Sequence, residues 1–265
     1  MLQKEITTVS PRALVMSLFN APKTSTLTIG QLIKAGELFE IKAATLRMAV
    51  TRLINDKLVT STERGVYHAG KNALKLNSEI KSWRTADKKT KRWSGDWLMA
   101  ITNHLGRTNK TRLQSTARVL QIYGFVEIEL GVWVRPSNLM QSLDKLHLKL
   151  VAIGLDSRAY LISVCKVAQE KQALWHSNWP ISELKAGYDE MIDRLEKSLN
   201  RLANMGPQEA AKETLVVGES AIRLINLDPL LPTEIIDSAQ FKKLVASMNE
   251  YDLVGHNCWQ KFLSN

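Results

Sequence analysis

Apolar positions in the first seventy residues repeat at three and four and then give way to alternation. Ser10-Pro11 predicts a helix start, with Leu14, Val15, Leu18 and Phe19 on one face and a break at Ala21-Pro22-Lys23-Thr24-Ser25. Thr28 caps a second predicted helix that turns Ile29, Leu32 and Ile33 inward. After a short turn at Phe39-Glu40-Ile41, a third helix is expected from Lys42 to Asp56. Two β-rich segments follow, Val59–Thr62 and Val66–His68, around Glu63-Arg64-Gly65, where the glycine permits a tight turn. Helix, helix, turn, helix and hairpin is the order of a winged helix-turn-helix domain.

Residues 70–92 read as a helix running into a basic linker with Lys88, Lys89, Lys91 and Arg92. Strand and helix then alternate: strand at Trp97–Thr102, helix at Thr111–Tyr123, strand at Phe125–Val134 with a bulge or hairpin at Gly131, helix at Leu139–Ile153, strand at Ala159–Val167. This pattern predicts a small ferredoxin-like α+β sandwich. From Ser182 the apolar spacing is helical through Leu202, stopped by Gly206-Pro207, and more helices follow to the end. The expected fold is therefore α+β multidomain: a winged helix-turn-helix segment with linker over 1–92, a ferredoxin-like middle domain over 93–176, and a helical C-terminal domain over 177–265.

Charge sharpens this division. Residues 1–92 carry 17 Lys and Arg against 7 Asp and Glu, a net of +10, whereas 93–265 carries 19 of each. The whole basic excess sits on the segment read as winged helix, which points to a polyanion such as double-stranded DNA. No apolar run reaches the ~18–20 residues of a membrane span. The two cysteines, Cys165 and Cys258, form no paired framework, which fits a reducing cytoplasm.

On a helical wheel, Leu46, Val50, Leu53 and Ile54 of the third helix share one side. Thr45, Met48, Arg52 and Asn55 share the other, with Thr51 beside them and Arg47 nearer the buried edge. No Asp or Glu occurs from Lys42 to Asn55. Arg suits guanine and Asn adenine in a major groove, while Thr and Met suit polar edges or a thymine methyl. Lys42 and Arg47 extend the surface, and Arg64 at the hairpin tip is placed for a minor groove or a phosphate. A plain amphipathic helix would show the same wheel; the order of elements and the localised charge favour recognition.

Enzyme signatures are missing. The five histidines have no metal-ligand spacing, no glycine-rich phosphate loop occurs, and Gly218-Glu219-Ser220-Ala221-Ile222 has Ile222 where a nucleophile elbow needs glycine. No catalytic residue, cofactor or metal is expected. Trp93, Trp97, Trp133, Trp175 and Trp179 either line an aromatic pocket or pack a core.

The chain resembles the PaaX family, repressors of phenylacetic-acid degradation. The likeness lies in Phe39-Glu40-Ile41-Lys42, Leu46 to Leu53, Arg64-Gly65-Val66-Tyr67, Trp93-Ser94-Gly95-Asp96-Trp97, Gly131 to Pro136 and Asp228-Pro229-Leu230-Leu231-Pro232. It implies a winged-helix N-terminal domain, a middle domain similar to the ferredoxin-like fold of CRISPR adaptation nucleases, and a helical C-terminal domain for dimerisation and control. It also implies a homodimer on operator DNA, released by an acyl-CoA effector, typically an aryl thioester such as phenylacetyl-CoA. Arg135 and Arg223 are then the expected contacts for the effector's phosphates, and Trp97 and Trp133 its aromatic walls. The sequence departs from the family pattern at Glu40, where glycine is usual, and at Lys42, where a capping serine is usual. It departs again at Gly218 to Ala221, where His-Glu-Tyr-Arg is usual. Asn103 stands where the nuclease relatives place a metal-binding Asp. Two readings compete with the ligand-controlled repressor: a nucleic-acid-processing enzyme on the ferredoxin-like domain, and a DNA binder that needs no ligand.

Overall fold

The computed structural model describes residues 9–19, 26–72, 81–106 and 108–264. The predicted break at Ala21–Ser25 and the helix expected after residue 70 fall largely outside the described residues. The chain is mixed α+β and mostly helical, with two small antiparallel sheets and a helical C-terminal region. Its contacts divide it into two compact units. One comprises residues 1–84, 191–224 and 244–265; the other comprises 85–190 and 225–243. The division differs from three consecutive domains, because stretches of 177–265 belong to each unit.

The first unit opens with α1 (Pro11–Phe19), β1 (Leu27–Thr28), α2 (Ile29–Glu37) and α3 (Ala43–Asn55), then β2 (Val59–Glu63) and β3 (Val66–Ala69). Ser10 Oγ accepts from Ala13 N at 3.2 Å, which starts α1. Thr28 and Gln31 form a reciprocal capping box that starts α2. The sheet runs β1-β3-β2. Leu14, Val15, Leu18, Leu32, Ala35, Leu46, Val50, Leu53 and Val59 make its core. Ala211 of α8 (Pro207–Asn226) and Trp259 and Phe262 of α9 (Ala239–Ser264) belong to the same core. Lys34 Nζ donates to Phe262 O at 2.9 Å, a cation on the carboxyl end of α9. The N-terminal helices are thus built onto sequence two hundred residues away.

The second unit holds β4 (Trp97–Ile101), α4 (Lys110–Ile122), β5 (Val126–Glu129), β6 (Val132–Pro136), α5 (Leu143–Ala152) and β7 (Tyr160–Val164). Its sheet has the order β5-β6-β4-β7, all antiparallel. Gly131, at φ 73, turns β5 into β6, so the Phe125–Val134 stretch is a hairpin. A Cβ there would lie 2.7 Å from Asn103 N, which leaves glycine as the residue that fits. Leu98, Ala100, Trp133, Val119, Leu120, Leu146 and Leu150 form the core between sheet and helices.

Two helices follow, α6 (Gln169–His176) and α7 (Ile181–Leu202), of which the sequence pattern announces only α7. Trp175 and Trp179 from this region pack on Trp97 at ring separations of 5.2 and 6.1 Å, and Trp93 joins it edge-on at 5.3 Å. The tryptophans therefore pack a core instead of lining an open pocket. Trp133 is not among them: it pairs with Ala100 across the sheet, three residues beyond Trp97 on β4, and so faces the helical side.

Candidate nucleic-acid interface

Helix α3 is fixed by its inner face. Leu46, Val50 and Leu53 are essentially fully buried. The turn before it is closed by Phe39 N and Ile41 N, both donating to Gly36 O at 3.0 Å. At the far end Asp56 caps the helix and takes Arg12 Nη1 of α1 at 2.6 Å, which offsets the one carboxylate adjoining the helix's last turn.

The outer face carries the residues that the wheel selects. Lys42, Thr45, Arg47, Met48, Thr51, Arg52 and Asn55 are all exposed. Arg47 is exposed, not near the buried edge as the wheel places it, because the fully buried positions of the helix are Leu46, Val50 and Leu53, with Ile54 partly buried beside them. Met48 is 55% exposed, an apolar tip held out in solvent on a helix with a well-filled inner face. Thr51 Oγ1 donates back to Arg47 O at 3.0 Å, so its hydroxyl is partly committed.

Arg64 is also exposed, at the turn of the β2–β3 hairpin beside Gly65, whose φ is 82. The hairpin is stiffened from within: Ser61 Oγ donates to Glu63 O and Val66 O at 2.7 and 3.0 Å, and Ile29 N donates to Gly65 O at 2.9 Å. All eight residues named from sequence as DNA contacts are thus solvent-facing, six on one helix, one at its N-cap and one on the hairpin tip of the same unit.

Glu40 holds a left-handed backbone, φ 57, and is exposed two residues before Lys42. A side chain there is strained, and it adds a negative charge two residues before the N-cap of α3. Glu40→Gly is expected to stabilise the chain by about 0.5–1 kcal/mol, less whatever the glycine adds in unfolded-state freedom. It should also tighten any polyanion bound at α3. Chemical denaturation with an unchanged slope and a higher midpoint is the check.

Of the residues assigned to an effector, Trp97, Trp133 and Arg135 are buried side chains of one sheet. Arg135 is 1% exposed, on the helix-facing side of β6. Its Nη1 donates to Tyr123 O, its Nε to Pro136 O at 3.1 Å, and its Nη2 to Asn138 Oδ1 at 3.0 Å. Burial pushes this guanidinium down to about 9, with nearby Asp228 opposing the shift. It is a brace inside the protein, not a phosphate contact. Trp97, fully buried, lies on the opposite face of the sheet from Trp133, so the two cannot form facing walls. Arg223 is exposed on α8 and belongs to the other unit.

What the sequence reading passes over is a groove between α5 and the start of β7, about 490 Å³, lined by Leu143, Asp144, His147, Arg158, Tyr160 and Leu161 among others. His147 was set aside there for lacking metal-ligand spacing, a criterion blind to a lone imidazole in a cleft. Among the described residues no three His, Cys, Asp or Glu side chains gather as a metal site would require.

No family model matches this chain, and no curated protein matches it. Its fold is similar to that of the uncharacterized protein Rv0674 from Mycobacterium tuberculosis, with a TM-score of 0.66 and 21% identity over 96% of this chain and 98% of that one. At that identity the likeness concerns the fold alone.

Proposed function

We propose that this chain is a DNA-binding transcription regulator that reads operator DNA as a homodimer through α3, with the β2–β3 hairpin as its wing, and acts as a repressor. The observation that carries the reading is the outer face of α3: seven exposed polar, cationic or methyl-bearing residues without an acidic one, on a helix whose inner face is locked into a core. Helix, helix, helix and hairpin in a single packed unit supports reading that unit as a winged helix-turn-helix. The β-α-β-β-α-β order with sheet order β5-β6-β4-β7 supports a ferredoxin-like reading of the second unit. Repression, and release by an aryl-CoA, rest on the resemblance to the PaaX family. The ligand contacts would then lie elsewhere than the buried Trp97, Trp133 and Arg135.

The test is selection by the full-length chain from a pool of random duplexes. The expected product is an inverted repeat with half-sites about one helical turn apart. On the selected site, log affinity should fall with log salt at about −0.9 per phosphate contacted, for roughly six to ten phosphates. A pool that returns no sequence preference, with a shallow salt slope, would overturn the reading.

A further inference from the structure

The balance of 19 basic and 19 acidic side chains over 93–265 conceals a segregation of charge in the second unit. Helix α4 carries Lys110, Arg112 and Arg118 and no carboxylate, and α5 carries Lys145 and Lys149 against Asp144. Carboxylates gather elsewhere in the unit: Glu127 and Glu129 on β5, Glu170 on α6, and Glu183, Asp189 and Glu190 on α7. The two basic helices lie side by side, in opposite directions, on one face of the sheet. Val119 and Leu120 of α4 share a core with Leu146 and Leu150 of α5. Ser115 Oγ donates to Gly154 O at 3.3 Å, and the Lys149 ammonium sits 5.8 Å from the Tyr123 ring at the other end of α4.

Arg112 spends its charge on Asp156 at 2.7 Å. Lys110, Arg118, Lys145 and Lys149 are exposed and enter no ion pair among the described residues. The basic linker adjoins them. Thr90 bridges to Leu139, Lys91 N donates to Asn138 O at 2.8 Å, and Met140 N donates to Lys89 O at 2.9 Å, which lays 89–91 along the lead into α5. Burial, and then the charge of Lys149, hold the Lys89 ammonium below its ordinary value, so these two cations feel each other. Like charges brought together repel, and an anion across them relieves that cost. Asp144 is the one exposed carboxylate on the two helices. Leu148 and Ile153, exposed on and just after α5, are single apolar tips of the kind every protein surface carries.

We propose that the α4–α5 layer, extended by the linker, is a second, sequence-independent contact for duplex DNA, with Arg118, Lys145 and Lys149 on backbone phosphates. Cations spread over two helices and a linker match a repeating row of phosphates. A single anionic group would need them converged on one point. Thr111, Gln114 and Gln121, exposed between the cations of α4, add neutral donors of the kind that contact phosphate oxygens. The inference rests on the reading of DNA as the partner. It leaves base reading to α3 and gives this layer affinity alone.

The experiment measures binding of the full-length chain to a duplex of random sequence, by fluorescence anisotropy at several salt concentrations. Arg118→Gln, Lys145→Gln and Lys149→Gln combined in one chain are expected to lower affinity at low salt by about tenfold or more and to reduce the log–log salt slope by about two to three. Arg118→Gln alone should reduce the slope by about one. A control chain with Lys166→Gln, Lys171→Gln and Lys242→Gln loses the same charge at exposed positions off the layer and should keep the wild-type slope. On a duplex selected through α3, the layer variant should bind more weakly with its base preference intact. An unchanged slope in the layer variant, or an equal loss in the control, overturns this inference and leaves the reading of α3 standing. Absence of any duplex binding by the wild-type chain overturns both.

Discussion

Arg52→Ala is expected to lower affinity for the selected operator by about 5- to 150-fold per half-site and to blur preference at one base pair. Arg52 stands exposed on α3, one position before the fully buried Leu53, so the substitution removes a reaching guanidinium and leaves the anchor in place. A bidentate Arg–guanine contact cannot be replaced by water at equal strength, hence the loss of selectivity as well as affinity. Lys42→Ala, at the N-cap of α3, is expected to behave differently. It should weaken all sequences alike and reduce the salt slope by about one, the signature of a phosphate contact. Fluorescence anisotropy on matched operator and scrambled duplexes at several salt concentrations separates the two. If Arg52→Ala keeps the wild-type base preference, base reading belongs to another residue of the exposed face, with Thr45 and Met48 next in line.

Arg135→Met is expected to destabilise the protein by about 3–5 kcal/mol, with no direct effect on any surface. Methionine fills the volume but donates nothing. Tyr123 O, Pro136 O and Asn138 Oδ1 would each lose a donor in a region closed to water. Asn138 in turn donates to Leu230 O at 2.7 Å, so the damage reaches the Asp228–Leu230 turn. The loss should depend on pH. Burial pushes the half-buried Asp228 up to about 6, against the stabilising contributions of the Tyr188 hydroxyl, the Leu230 amide and the Arg135 charge. Above that value Asp228 is charged in the folded protein and profits from Arg135. Below it the carboxyl is neutral and needs the cation less. The destabilisation by Arg135→Met is therefore larger at pH 7.5 than at pH 5, a difference read from denaturant midpoints at the two values. Equal stability of variant and wild type at both would mean that Arg135 is not an internal brace and would return it to the list of ligand contacts.

The exposed face of α3 was legible because it depends on local geometry. A helix with Leu46, Val50 and Leu53 at spacings of four and three has one inward side, and whatever alternates with them must face out. The caps at Ser10 and Thr28 and the turns at Gly65 and Gly131 were legible for the same reason: each is set by residues within a few positions of one another. Arg47 marks the limit of that logic, since the width of the buried stripe depends on what packs against it, and here the stripe of Leu46, Val50, Leu53 and Ile54 leaves Arg47 exposed.

Contacts between distant segments were not legible. Spacing shows that Ala211, Trp259 and Phe262 lie on apolar helix faces, but not that those faces complete the core of α1 to α3. Nor does it show that Arg135 turns inward. Its neighbour Trp133 shares its face of the sheet, and alternation alone predicts that two positions apart point the same way, yet an arginine beside a tryptophan reads as a surface pair until Tyr123, Asn138 and Leu230 are seen to surround it. The sequence by itself determined the elements, the concentration of charge in the first third of the chain and the outward face of α3, because periodicity, capping and composition act over a few residues. Only the tertiary structure decided which faces meet, that Trp97 and Trp133 lie on opposite sides of one sheet, and that His147 Nε2 is shielded without a hydrogen-bond partner. Burial and hydrogen-bond completion are properties of surfaces brought together from far along the chain, and no local pattern encodes them.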